Sequence, residues 1–70
     1  MPKLYSSAKI VKVLEKRGFI FVSQKGSNAK FRKVGREVLT AIMPMGKKEI
    51  PTGTFRSILR QSKLTERDFR

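Results

Sequence analysis

The apolar positions of the chain form two helical stripes, with three short apolar or alternating runs between them. In AKIVKVLEKR, Ile10, Val11 and Leu14 recur at the i, i+1, i+4 spacing of one helix face, surrounded by Lys9, Lys12, Lys16 and Arg17. Ser6 and Ser7 offer capping hydroxyls before this stripe, and Gly18 follows it where a left-handed residue closes a helix. Lys16 and Arg17 fall where the helix dipole favours cations. A first helix is therefore predicted from about Ser7 to Arg17.

Phe19-Ile20-Phe21-Val22 is a β-branched and aromatic run bounded by Gly18 and by the turn formers Lys25-Gly26-Ser27-Asn28. It reads as a strand with both faces at least partly covered. Ala29 to Lys33 alternates, placing Phe31 on one face and Lys30 and Arg32 on the other, and Val34-Gly35-Arg36 offers a second turn. Val38 to Met43 is a third strand, closed by Pro44, and Met45 to Gly53 reads as a loop.

Thr52 or Thr54 can cap a second helix with Phe55, Ile58, Leu59 and Ser62 on one face and Arg56, Arg60 and Lys63 on another. Thr65-Glu66-Arg67-Asp68 has the form of a capping box, which predicts a last helical turn carrying Phe69. The expected core is Ile10, Val11, Leu14, Phe19, Phe21, Phe31, Phe55, Ile58 and Leu59, and Tyr5 near the terminus reads as packing. The fold class is α+β, in the order α-β-β-β-α. A three-stranded antiparallel sheet carries both helices on one face and leaves the face of Lys30 and Arg32 open. Double-stranded-RNA-binding domains (dsRBDs) share this element order.

Charge then narrows the partner. Seventeen Lys and Arg against 5 Asp and Glu leave a net +12 on 70 residues, which attracts polyanions and gains affinity by counterion release. Nucleic acid is the first candidate, with an acidic protein as the alternative. A membrane-surface protein would concentrate its cations on one amphipathic helix, whereas here they occur in every segment. No stretch reaches the roughly 20 apolar residues of a membrane span, and MPKLYSS leads into charged sequence instead of an apolar signal core. With no cysteine there is neither a disulfide framework nor a thiolate metal site, so a single cytoplasmic domain over residues 1–70 is expected. The absence of histidine removes the usual general base and the commonest metal ligand. Glu15, Glu37, Glu49, Glu66 and Asp68 are scattered, so neither a metal nor a cofactor is expected.

At Gly18-Phe19, Lys25-Gly26-Ser27, Lys30-Phe31-Arg32, Pro44, Gly53-Thr54 and Arg56-Ser57-Ile58-Leu59-Arg60-Gln61 the chain resembles the HicA toxins of bacterial toxin–antitoxin pairs. The segment "GF…QKGSNAKFR" is similar to that family's G-S-H-x-K-F motif, and "PTGTFRSILRQSKLTERDF" to its second-helix signature. The resemblance covers nearly the whole chain. It implies a dsRBD-like fold and an endoribonuclease that cleaves mRNA and inhibits translation. It also implies neutralisation by a HicB-type antitoxin bound over the active face, with a free monomer entering a hetero-oligomer.

One position departs from the pattern. Aligned on Lys30-Phe31-Arg32, the family's catalytic histidine falls on Asn28, or on Ala29 if the alignment shifts by one. Neither can titrate, so this member either works without histidine or is a catalytically disabled copy, and the disabled copy is expected. The loop after Pro44, where some relatives carry another histidine, reads Met45-Gly46-Lys47.

Cleavage by internal attack of a 2′-OH needs a base, an acid for the leaving oxygen and cations for the charge that builds on phosphorus. By this resemblance position 28 has the proton-transfer role, Lys25, Lys30 and Arg32 hold phosphate, and Gly26 and Ser27 bring the backbone close to it. An ordinary hairpin turn uses the same Gly, Ser and Asn. Lys33 and Arg36 extend the cationic run and are expected to contact RNA phosphate rather than form only a solvated face, and Lys47 and Lys48 with Gly53-Thr54 are a second candidate phosphate site. Arg56 and Arg60, one helical turn apart, either track a nucleic-acid backbone or pair with an acidic antitoxin. Two other readings are an RNA-binding module without catalysis and a basic interaction partner of an acidic protein. A helix-turn-helix DNA reader is disfavoured by the three strands between the helices.

Overall fold

The computed structural model describes residues 4–69, leaving Met1, Pro2, Lys3 and Arg70, and so the far ends of the expected 1–70 domain, outside the described residues. Helix α1 runs Ser7–Lys16, strand β1 Ile20–Lys25, β2 Asn28–Val34 and β3 Val38–Pro44. Helix α2 spans Thr52–Ser62, and a short 3-10 turn, Glu66–Phe69, ends the described residues. The order is α-β-β-β-α, as the pattern predicted.

The ends of α1 follow from local chemistry. The Ser6 hydroxyl accepts from the Lys9 amide at 3.1 Å. At the other end Gly18 takes φ +95°, and the Phe19 amide reaches back to the Leu14 carbonyl at 2.9 Å while the Gly18 amide reaches Glu15. This is the Schellman arrangement, with Phe19 as its buried hydrophobic partner. A Cβ at Gly18 would face both a strained φ and the Lys33 Cε at 3.4 Å.

Helix α2 starts differently from expectation. Its N-cap is Pro51, which makes no side-chain cap, so Thr52 and Thr54 lie inside the helix. Its C-cap, Lys63, is left-handed at φ 57°, and the Leu64 amide returns to the Leu59 carbonyl at 3.2 Å. At the 3-10 turn one half of the capping box forms: the Asp68 carboxylate accepts from the Thr65 amide at 2.8 Å and from the Thr65 hydroxyl at 3.2 Å.

The sheet has the order β1-β2-β3, antiparallel throughout. A two-residue loop, Gly26-Ser27, joins β1 to β2, with Lys25 opposite Asn28. Gly26 sits at φ +60° and Ser27 is not left-handed, as in type II′ hairpins. β1 thus extends three residues beyond the predicted Val22, and the turn shrinks to two. A bulge between Phe21 and Ser23 lets Phe21 pair with Phe31 and Ser23 with Lys30.

One core joins both helices to one sheet face: Ile10, Val13 and Leu14 from α1, Phe55 and Ile58 from α2, and Ala29, Phe31, Ala41 and Met43 from the sheet. Phe19, Ile50 and Phe69 complete it. Tyr5 packs against Phe55 and Phe69 with ring centroids at 5.2 and 5.7 Å, as its terminal position suggested. Val11 and Leu59 are only half-buried against this core.

β1 departs most from expectation. All six of its residues are exposed, and Phe21, expected in the core, is 52% exposed and meets Phe31 edge-on. The reason is where α2 lies. It packs against β3 and reaches that strand's outer edge, where the Gln61 Oε1 accepts from the Ile42 amide at 3.1 Å. The helical layer leaves the opposite edge, β1, uncovered.

Candidate functional site

Alternation along β2 turns Ala29 and Phe31 inward, and Asn28, Lys30 and Arg32 onto the open face. Cross-strand pairing sets Lys30 between Ser23 and Ile42, and Arg32 between Ile20 and Thr40. The result is a hollow of about 590 Å³ beside the hairpin turn, lined by Ser23, Lys25, Gly26, Asn28, Lys30 and Ile42. It contains no carboxylate, and among the described residues neither Lys25 nor Lys30 has an acidic partner. The Arg32 Nε is buried and lacks a hydrogen-bond partner among the described residues. A hollow without carboxylates, with two lysines that have no acidic partner among the described residues, favours a bound anion.

The β3–α2 loop is tied to this corner through the backbone. The Met45 amide donates to the Ser27 carbonyl at 2.6 Å. Buried Ser7 donates through its hydroxyl to the Pro44 carbonyl at 2.7 Å and accepts there from the Lys47 amide at 3.0 Å, while its own amide donates to the Lys47 carbonyl. Exposed Lys47 and Lys48 are thereby held on the same end of the molecule as the Gly26-Ser27 turn.

The predicted residues divide into three sets. Lys25, Gly26, Asn28 and Lys30 line one hollow, with Ser27 in the adjoining turn and Arg32 further along the same face. Lys33 is on the opposite, helix-covered side of β2, its aliphatic stem lying over Gly18. Arg56 and Arg60 are exposed on α2, the helix that packs against β3. Ser23 and Ile42, which sequence reasoning missed, complete the hollow. Ser23 becomes visible only once the bulge at Val22 is known, and Ile42 only through its register opposite Lys30. The two alignments for the histidine column also separate here. Ala29 is fully buried, whereas Asn28 is exposed at the hollow.

Two of the carboxylates are engaged elsewhere. Asp68 pairs with Arg17 at 2.8 Å and Glu37 pairs with Lys63. The backbone amide of Thr65 holds the Asp68 carboxyl below its usual range, helped by Arg17 and the Thr65 hydroxyl and opposed by desolvation.

An α-β-β-β-α domain with two helices behind the sheet and lysines around a hollow on its free face belongs to the dsRBD-like class of small basic proteins. The family model described as the HicA toxin of bacterial toxin-antitoxin matches residues 7–64, and the chain belongs to that family. No match was found among curated protein sequences. Among the described residues no helix is long and apolar enough to cross a membrane.

Proposed function

We propose that this chain is the toxin of a HicA–HicB pair, built as a cytoplasmic endoribonuclease that cleaves mRNA and so inhibits translation, and that it is disabled at Asn28. The observation that carries this reading is the placement of Asn28, exposed at an acid-free hollow between Lys25 and Lys30. A phosphodiester seated on these lysines would have its developing negative charge met by two cations and by the turn backbone at Gly26. In the active form an imidazole at position 28 takes the 2′-OH proton as that oxygen attacks phosphorus. The 5′-oxygen then leaves and takes up a proton. An amide neither accepts nor delivers that proton at neutral pH, so the chain holds RNA without cutting it. Lys47 and Lys48, tied to the same corner, extend the phosphate track, and Arg32 continues it along the sheet.

Asn28→His supplies the missing group. The expected result is growth arrest on induction and cleavage of a purified transcript by the histidine form only. A second reading, an RNA-binding module that never cleaves, is favoured by the complete lack of histidine. It predicts RNA binding but no cleavage even by Asn28→His.

A further inference from the structure

The two edges of the sheet differ at one outward amide of β3, that of Ile42. At β3 the outward Ile42 amide is met by Gln61, which is itself fixed by a bond from its Nε2 to the Ser57 hydroxyl at 3.1 Å. At β1 no residue from Ile20 to Lys25 makes a backbone hydrogen bond to anything but β2 among the described residues. Its outward amides and carbonyls form an unsealed template for another strand. The side chains there are apolar on both faces: Ile20 is 64%, Phe21 52% and Val22 41% exposed. Docking on the open face alone would cover Ile20 and leave Phe21, which lies toward Phe31, in water. A strand laid alongside β1 reaches both faces and satisfies the main chain as well.

We infer that the outer edge of β1 is a β-augmentation site that takes one extended segment of an acidic protein partner. This rests on the toxin–antitoxin reading, in which that partner is the HicB-type antitoxin. Charge selects the occupant. Two copies of a chain carrying +12 repel each other, whereas an acidic protein is drawn in, and Lys25 at the end of β1 has no carboxylate of its own among the described residues. The accepted segment therefore carries aliphatic side chains beside Ile20, Phe21 and Val22 and an Asp or Glu near Lys25.

Amide hydrogen exchange of the free chain and of its complex with the HicB-type antitoxin reads the edge directly. The expected result is slowed exchange within residues 20–25 in the complex. Ile20→Glu should weaken antitoxin binding at least tenfold, while Val38→Glu, on the far strand of the same open face, should leave it within about twofold. Circular dichroism confirms that both variants fold. A complex in which residues 20–25 exchange as in the free chain overturns the inference and leaves the antitoxin reading standing. Failure of the unaltered chain to bind the antitoxin overturns both. Protection of β1 in the free chain that grows with concentration, matched by dimers in sedimentation, makes the occupant a second copy and overturns the assignment. Equal losses for Ile20→Glu and Val38→Glu point to docking on the face instead of the edge, and also overturn it.

Discussion

The Ser7 hydroxyl and the Pro44 carbonyl meet at 2.7 Å, joining the start of α1 to the end of β3 across 37 positions of sequence. The same oxygen receives the Lys47 amide, so one buried side chain fixes both the first turn of α1 and the loop carrying Lys47 and Lys48. Ser7→Ala leaves the Lys47 amide without its side-chain partner and takes one from the Pro44 carbonyl. The expected loss is about 1–3 kcal/mol of stability, the cost of unmet polar groups in a partly buried place. Urea unfolding measures it, as a lowered midpoint with an unchanged slope; a loss below about 0.5 kcal/mol would show that the network is replaced by water.

Gln61 meets one outward amide of the β3 edge, that of Ile42, through a bond that water can replace, since the contact is exposed. Gln61→Ala should therefore cost only about 0.5–1.5 kcal/mol while accelerating exchange of the Ile42 amide clearly. Unchanged exchange at Ile42 would mean that the packing of α2, and not the glutamine, protects that amide.

Acid should expose the contribution of Asp68. Its carboxyl is held below the ordinary value of 3.8, chiefly by the Thr65 amide. A group with a depressed folded pKa stabilises the fold fully above its unfolded value and loses that contribution as pH falls through the folded one. Thermal midpoints should thus decline as pH is lowered from about 4. Asp68→Asn should be less stable at neutral pH and show a shallower decline. Parallel pH curves for the two proteins would remove Asp68 from the acid response.

RNA affinity should divide the lysines by face. Lys30 lines the hollow, whereas Lys33, three residues on, lies across the sheet with its stem over Gly18. With a single-stranded oligonucleotide, Lys30→Ala should reduce the slope of log affinity against log salt by about 0.7, the share of one phosphate contact. Lys33→Gln should leave that slope unchanged. Equal effects of the two would make RNA binding a property of net charge and not of this face.

What could be read from the sequence was mostly local. The α1 ending at Gly18, the half-formed capping box of Thr65 and Asp68, and the inward Phe31 with outward Lys30 and Arg32 each depend on a few adjacent residues. What could not be read depended on where distant elements settle. Phe21 has the composition of a core residue, yet is half exposed because α2 packs against β3 and leaves β1 uncovered. Thr52 and Thr54 are better capping residues than Pro51, but the loop pinned by Ser7 and by the Ile50 amide's bond to the Tyr5 carbonyl enters α2 one residue earlier. The hollow itself needed the bulge at Val22, which brings Ser23 opposite Lys30.

The most direct test of an RNA-cleaving site disabled at one position compares the unaltered chain with Asn28→His on a purified transcript. Cleavage by the histidine form alone, lost again when Lys30→Ala is added, is the expected result. Cleavage by the unaltered chain, or none by the histidine form while it still binds RNA, would contradict the assignment of position 28.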